Sequence, residues 1–182
     1  PDDQAEPSIR ITGHGRGVAV ADFPLGELAF RAKGGRGNYQ SELTAKTEKG
    51  QRASLSLALR QRGERYRFLA SNFELNVPGR DSWRARADVT LSPDGVDIQE
   101  LDLRSGPQHL GMQGNFSFSK QYAVTANLQQ FDLGGLRELT GVDLADLDGR
   151  IDGTLKLFGV PNHPRIEAMG AVRSGQFLGM TD

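Results

Sequence analysis

The chain has 182 residues, a net charge of −1, 37% hydrophobic side chains and no cysteine. The lack of cysteine excludes disulfides and thiolate metal sites. The balanced charge argues against a nucleic-acid partner, because such proteins carry clustered basic surface. No apolar run reaches the roughly 18 residues that a membrane-spanning helix needs.

The N-terminal part alternates apolar and polar residues after a short polar segment. Residues 1–7 are polar and are predicted to be disordered. Ile9 and Ile11 then share one face of a predicted strand, since side chains on a strand alternate with a period of two. The glycine-rich run 13–17 predicts a turn, because glycine adopts positive φ without penalty.

The middle of the chain contains the most regular alternation, over residues 51–61 and 82–92. The apolar residues change from even to odd positions twice, once near Ser71–Asn72 and once near Gln99–Glu100. A change of phase inside an apolar run indicates one extra residue in the strand. We therefore predict a β-bulge or a corner near Ser71–Asn72 and a bulge beside Gln99–Glu100.

One segment departs from the strand pattern. Leu133, Leu136 and Leu139 are spaced by three, with Asp132 as a possible N-cap, so one short helical turn is predicted near 133–140. A final hairpin follows, with strands over 150–158 and 165–173.

These elements predict an all-β fold in which consecutive strands pair antiparallel. We expect a single domain over residues 8–182, excised from a larger repeat-like protein. An extended sheet with one wet and one dry face would curl into an elongated groove, a β-taco with an apolar concave face.

Few residues suggest chemistry. His14, His109 and His163 lie far apart in the sequence, with no carboxylate or second histidine at ligand spacing. The aspartates between 143 and 152 do not fit a calcium loop, whose positions one and twelve would be leucines. We expect no enzyme activity, no metal and no cofactor.

The apolar stripe is the candidate site. An open stripe of this length would exceed the apolar surface that soluble monomers tolerate, so it would need an occupant, and a lipid acyl chain fits. The predicted lipid-lining residues are Leu55, Leu57, Leu59, Phe68, Phe73, Leu75, Val89, Leu91, Ile98, Leu101, Leu103, Met112, Phe116, Phe118, Leu128, Ile151, Leu155, Leu157, Ile166 and Val172.

The C-terminal half resembles the TamB family, the large AsmA-like proteins of the Gram-negative envelope. The resemblance is carried by Phe131-Asp132-Leu133 with Leu136 and Leu139, by the run LDGRIDGTLKLFG at 147–159, and by Pro164-Arg165-Ile166. The resemblance covers roughly residues 82–175, whereas the N-terminal third is similar only in its general pattern of residues. Glu100 departs from the pattern by interrupting the apolar stripe.

The resemblance implies a periplasmic, groove-forming segment of a protein that conducts phospholipid between the inner and outer membranes. It also implies a role in outer-membrane protein assembly, and an outer-membrane barrel partner of the TamA type that meets a region outside this segment or near its C-terminus. The inner-membrane anchor is expected outside the segment. The family has no catalytic residues to carry over.

Two alternatives remain open from the sequence. A closed β-sandwich or solenoid could bind protein or carbohydrate through its polar face. A groove that adds a client strand to an exposed sheet edge would share the fold but not the ligand.

Overall fold

The computed structural model describes residues 8–20, 23–47, 50–132 and 149–173. These residues form strands joined by short turns. The strands are β1 (Ile9–Val20), β2 (Phe23–Gly35), β3 (Asn38–Lys46), β4 (Arg52–Arg62), β5 (Arg65–Asn76), β6 (Trp83–Ser92), β7 (Gly95–Ser105), β8 (Gln108–Ser117), β9 (Tyr122–Asp132), β10 (Arg150–Val160) and β11 (His163–Arg173).

All eleven strands belong to one sheet, and their spatial order is their order in the sequence. Every neighbouring pair is antiparallel. The predicted all-β class and the antiparallel meander are therefore confirmed. The helical turn predicted at 133–140 and the disorder predicted at 1–7 lie outside the described residues.

The sheet is open, with β1 at one edge and β11 at the other. It does not curl over its apolar side, so the elongated curved groove expected from the sequence is not confirmed. Alternation fixes which residues share a face, whereas curvature depends on twist and bulges accumulated over many strands.

Both predicted bulges are present. The register of β5 against β6 shifts between Ala70 and Phe73, and that of β7 against β8 shifts between Ile98 and Leu101. At each site the strand carries one extra residue, and the apolar side chains on both sides of the bulge keep the same face. The change of phase in the sequence was thus a true signal of register.

The turn predicted at residues 13–17 is wrong. This stretch continues β1, with Gly13 paired to Phe30 and Gly15 paired to Leu28. A Cβ on Gly13 would lie 2.3 Å from Cε1 of Phe30, so the glycine leaves room for the aromatic ring over the backbone. Gly17 has φ 64° and lies where the register of β1 shifts.

The described residues form a single layer. Their buried hydrophobic residues are few and scattered over the sheet: Ala45, Trp83, Tyr122, Ala126 and Phe131. Most globular domains bury a sheet face against a second layer. Here most apolar side chains of the sheet are only half-buried.

Candidate functional site: one apolar face across the sheet

Directly opposed residues on neighbouring strands lie on the same face of a sheet, so the register defines two faces. Leu59 is opposite Phe68, Phe68 is opposite Val89, and Val89 is opposite Ile98. The series continues from Leu103 through Leu110 to the later strands. We call this side the apolar face and the opposite side the polar face.

The predicted lining residues that lie in strands all fall on the apolar face. In β10 and β11, Leu157 is opposite Ile166, and Val172 occupies the register position opposite Ile151. Phe118 follows the end of β8, and its ring centroid lies 6.0 Å from that of Phe116. The register therefore places these residues together on one face, and their role in lining a lipid path stays a prediction.

Exposure varies across the apolar face. The predicted lining residues with the most exposed side chains are Leu91 at 39%, Leu155 at 41%, Phe118 at 51% and Ile166 at 68%. Each Å² of this surface that a ligand or partner covers is worth about 25 cal/mol, so the face is a strong candidate for binding an apolar partner.

The bulge in β7 keeps charge off the apolar face. Glu100 is opposite Asp88 on the polar face, and the neighbouring pair on the apolar face is Val89 with Ile98. The register places none of the charged side chains of the described strands on the apolar face. The bulge predicted to accommodate Glu100 thus does so.

An aromatic contact covers one end of the apolar face. The rings of Trp83 and Phe131 are 6.1 Å apart, and their side chains are 6% and 2% exposed. Ser105, on the strand after Trp83, is 4% exposed and donates a hydrogen bond from Oγ to the carbonyl of Asp81 at 3.1 Å. Its small side chain leaves room for the two large rings.

A second aromatic cluster lies at the opposite strand ends. The rings of Phe116 and Tyr122 are 4.8 Å apart, and Tyr122 is 3% exposed. Phe118 extends this cluster towards solvent. The two clusters lie at opposite ends of β8 and β9, with the half-buried aliphatic residues Leu110, Met112, Val124 and Leu128 between them.

The polar face carries ion pairs both between β5 and β6 and within β7. Nε of Arg67 donates to Oδ1 of Asp88 at 2.8 Å, and Nε of Arg104 donates to Oδ1 of Asp102 at 2.8 Å. These hydrogen bonds favour the ionised carboxylates and lower the pKa of both aspartates below the ordinary value.

The structure brings a carboxylate to a histidine, which the sequence interpretation missed. Nε2 of His109 lies 2.7 Å from Oδ2 of Asp102. The two residues are separated by the β7–β8 turn, and the diagonal contact follows from the pairing of Arg104 with His109. Among the described residues no hydroxyl bonds to His109, so the pair lacks the nucleophile of a catalytic triad.

In the part of the chain that the structure describes, no group of three or more potential ligands could hold a metal ion. The same part includes no helix of the length and apolarity required to cross a membrane.

No family model, curated protein or solved structure matches the chain. The resemblance to the TamB family therefore rests on the sequence motifs alone.

Proposed function

We propose that the apolar face binds phospholipid acyl chains and that the chain is a segment of a protein that conducts phospholipid between two membranes. One observation carries this proposal. An uncharged, largely half-buried face runs across all the described strands, and the bulges maintain it where alternation alone would break it. A conduit for acyl chains needs that continuity, because one charge on the path would repel them.

The dimensions of the face suit a lipid. Ten strand spacings of about 4.8 Å make it roughly 48 Å wide, so several acyl chains fit side by side. Each buried methylene contributes about 0.8 kcal/mol, and a chain of about 15 methylenes contributes on the order of 12 kcal/mol before ordering costs. Lipid contacts spread over such a face are individually weak, which allows movement along it.

The cellular setting of this proposal comes from the family resemblance. We place the protein in the periplasm of a Gram-negative bacterium, with an inner-membrane anchor outside the segment and an outer-membrane barrel of the TamA type as partner. A contribution to outer-membrane protein assembly belongs to the same proposal.

The test is native mass spectrometry of the chain purified from bacterial membranes, with extraction of bound lipid. Leu57→Arg and Leu155→Arg place a charge on the apolar face, and Ser56→Arg places the same charge on the polar face as a matched control. We expect phospholipid to co-purify with the parent chain and with Ser56→Arg but not with the other two variants. Lipid bound equally by all four chains would overturn the proposal, as would a lipid-free parent chain.

A second candidate is addition of a client strand at the β11 edge. Residues 163–171 are all exposed, including Ile166 at 68% and Met169 at 73%. Exposed edges template the pairing of another strand. Ala168 has the same parity as Pro164, so its N–H points to the open edge. Proline in place of Ala168 would hinder strand addition and leave the apolar face of β4–β9 unchanged, so loss of client binding with retained lipid would favour this candidate.

Binding of a hydrophobic dye distinguishes the open sheet from the alternative of a closed β-sandwich. A native sandwich offers no apolar opening, so a hydrophobic dye would not bind to it. Dye binding to the native chain that phospholipid displaces would instead support an open face.

A further inference from the structure

Five cations lie together on the polar face, at the strand ends where β2 meets β3 and β4 meets β5. All five side chains are exposed. The cluster, which we call the basic patch, consists of Arg10, Lys33, Arg60, Arg62 and Arg65. Part of it lines a shallow cleft that also contains Asn38 and Gln40 and no acidic residue.

The basic patch places like charges directly opposite each other. Arg10 faces Lys33 across β1 and β2, and Arg62 faces Arg65 across β4 and β5. Arg60 faces a further arginine, Arg67. Like charges at opposed positions destabilise a sheet, so such an arrangement is unfavourable unless an anion neutralises it.

Opposed cations also occur elsewhere on this face, at Lys46 with Arg52 and at Arg84 with Arg104, but several of the other cations have acidic partners. Arg67 is paired with Asp88, whereas none of the five patch residues forms an ion pair with a described residue. Arg16 is opposite Glu27, and Arg31 is opposite Glu42. The patch is therefore a local excess of positive charge that the net charge of the chain, −1, conceals.

We propose that the basic patch docks on an anionic phospholipid surface. The patch extends from β1 to β5, four strand spacings or about 19 Å, which is too wide for one phosphate and matches several headgroups. On the polar face, residues 10–16, 27–46 and 52–76 include no Phe, Tyr or Trp, and Tyr39 of the cleft belongs to the apolar face. This part of the face therefore lacks the row of aromatic rings on which single-stranded nucleic acids stack.

Apolar residues at the same edge support a membrane partner. Ile9 and Ile11 of β1 are 52% and 49% exposed. They lie on the apolar face at the β1 edge, and Arg10 lies between them on the polar face, so contact through this edge would present both kinds of side chain. Basic side chains with exposed apolar neighbours are typical of proteins that bind at the lipid–water interface. Docking through this patch is independent of acyl-chain binding on the other face, so either can fail alone.

The test is co-sedimentation of the 182-residue chain with vesicles of neutral phosphatidylcholine, with or without 30 mol% phosphatidylglycerol as the chosen anionic probe. The variant Arg10→Gln/Lys33→Gln/Arg60→Gln removes three unpaired cations. The matched control Arg16→Gln/Arg31→Gln/Arg84→Gln removes three cations of the same face that lie beside glutamates.

We expect the parent chain to prefer anionic vesicles and to lose that preference as salt is raised. A cation at a membrane surface strengthens partitioning by roughly fivefold, so the patch variant should bind about 100-fold more weakly and the control less than fivefold. The patch variant should also keep or raise its unfolding midpoint, since repulsion is removed. If the patch variant does not fold, Arg62→Gln/Arg65→Gln replaces it in the test. We expect this second variant to bind anionic vesicles about 25-fold more weakly than the parent chain.

Three results would overturn the proposal. The first is equal binding of the patch variant and the control. The second is full competition by millimolar inorganic phosphate or glycerophosphate, which would assign the patch to a single soluble phosphate group. The third is retention of an oligonucleotide by the parent chain in place of anionic vesicles.

Discussion

Trp83 and Phe131 lie on strands three positions apart in the sheet, yet their ring centroids are separated by 6.1 Å at an interplanar angle of 64°. Both side chains therefore lean over β7 and β8. Replacing either ring by alanine leaves a cavity in one of the few buried parts of the sheet. We expect Trp83→Ala and Phe131→Ala each to lower the free energy of unfolding by about 3–5 kcal/mol in urea titrations.

The control for this contact is Phe118→Ala, because Phe118 is 51% exposed. Phe118→Ala should lower the free energy of unfolding by less than about 1 kcal/mol. Trp83 is the single tryptophan, so Phe131→Ala should also shift the native emission to longer wavelength. An unshifted spectrum and a small loss of stability would show that the contact does not order this end of the face.

Deletion of Glu100 should be tolerated. The bulge holds both Gln99 and Glu100 between Ile98 and Leu101, so removing one residue restores regular alternation and keeps Leu101 on the apolar face. It also removes a carboxylate opposite Asp88. We expect the free energy of unfolding to change by less than about 1 kcal/mol in urea titrations.

The matched control is deletion of Arg86 in the middle of β6. No bulge absorbs that deletion, so the residues on one side of it change faces. We expect the Arg86 deletion either to abolish cooperative unfolding or to lower the free energy of unfolding by more than about 3 kcal/mol. Equal effects of the two deletions would contradict the bulge at Gln99–Glu100.

The sequence predicted the bulges because apolar side chains themselves report the phase of a strand. Phe68 and Phe73 differ in parity and still pair on one face with Val89 and Ala85. Gly13 and Gly15 have no side chain to report the phase of the strand. The part of β1 that passes beneath Phe30 was therefore predicted to be a turn. The membership of the apolar face was predictable for the same reason as the bulges.

Contacts that depend on diagonal neighbours were not predictable. The approach of His109 to Asp102 requires the register of the β7–β8 hairpin and the side-chain rotamers. The basic patch likewise needs the order of five strands before Arg10 and Arg60 fall at the same end of the sheet. The curvature of the sheet follows from no single residue.

Gly13→Ala tests the ring above β1. The added methyl group would lie 2.3 Å from Cε1 of Phe30, so the ring must move outward from a position where it is already 40% exposed. We expect a loss of about 1–3 kcal/mol in the free energy of unfolding.

The same substitution in a Phe30→Ala background should cost less, and a double-mutant cycle measures the difference. An equal cost in both backgrounds would place the origin of the effect in the backbone of Gly13 instead of the ring.

Acid should weaken the sheet through the ion pairs of its polar face. The pKa values of Asp88 and Asp102 are lowered in the folded chain by Arg67 and Arg104. A lowered folded-state pKa contributes stability above the ordinary aspartate pKa of about 3.9, and this is lost as pH falls through the folded-state value. The unfolding midpoint should thus fall between about pH 5 and pH 2.

Asp102→Asn should reduce this acid sensitivity, measured as the difference in unfolding midpoint between pH 5 and pH 2.5. Asp94→Asn, in the β6–β7 turn, is the control, since Asp94 forms no ion pair with a described residue. Unchanged acid sensitivity in Asp102→Asn would contradict a contribution from this carboxylate.

Consecutive pairing of the strands has a consequence for how such a sheet can change in evolution. Each described strand forms its backbone hydrogen bonds only with the strands before and after it in the sequence. Gain or loss of one complete hairpin therefore alters the width by about 10 Å without reversing a strand or moving a side chain to the other face. Gain of a single strand would reverse the direction of all that follow. The sheet is expected to grow and shrink by duplication and deletion of strand pairs.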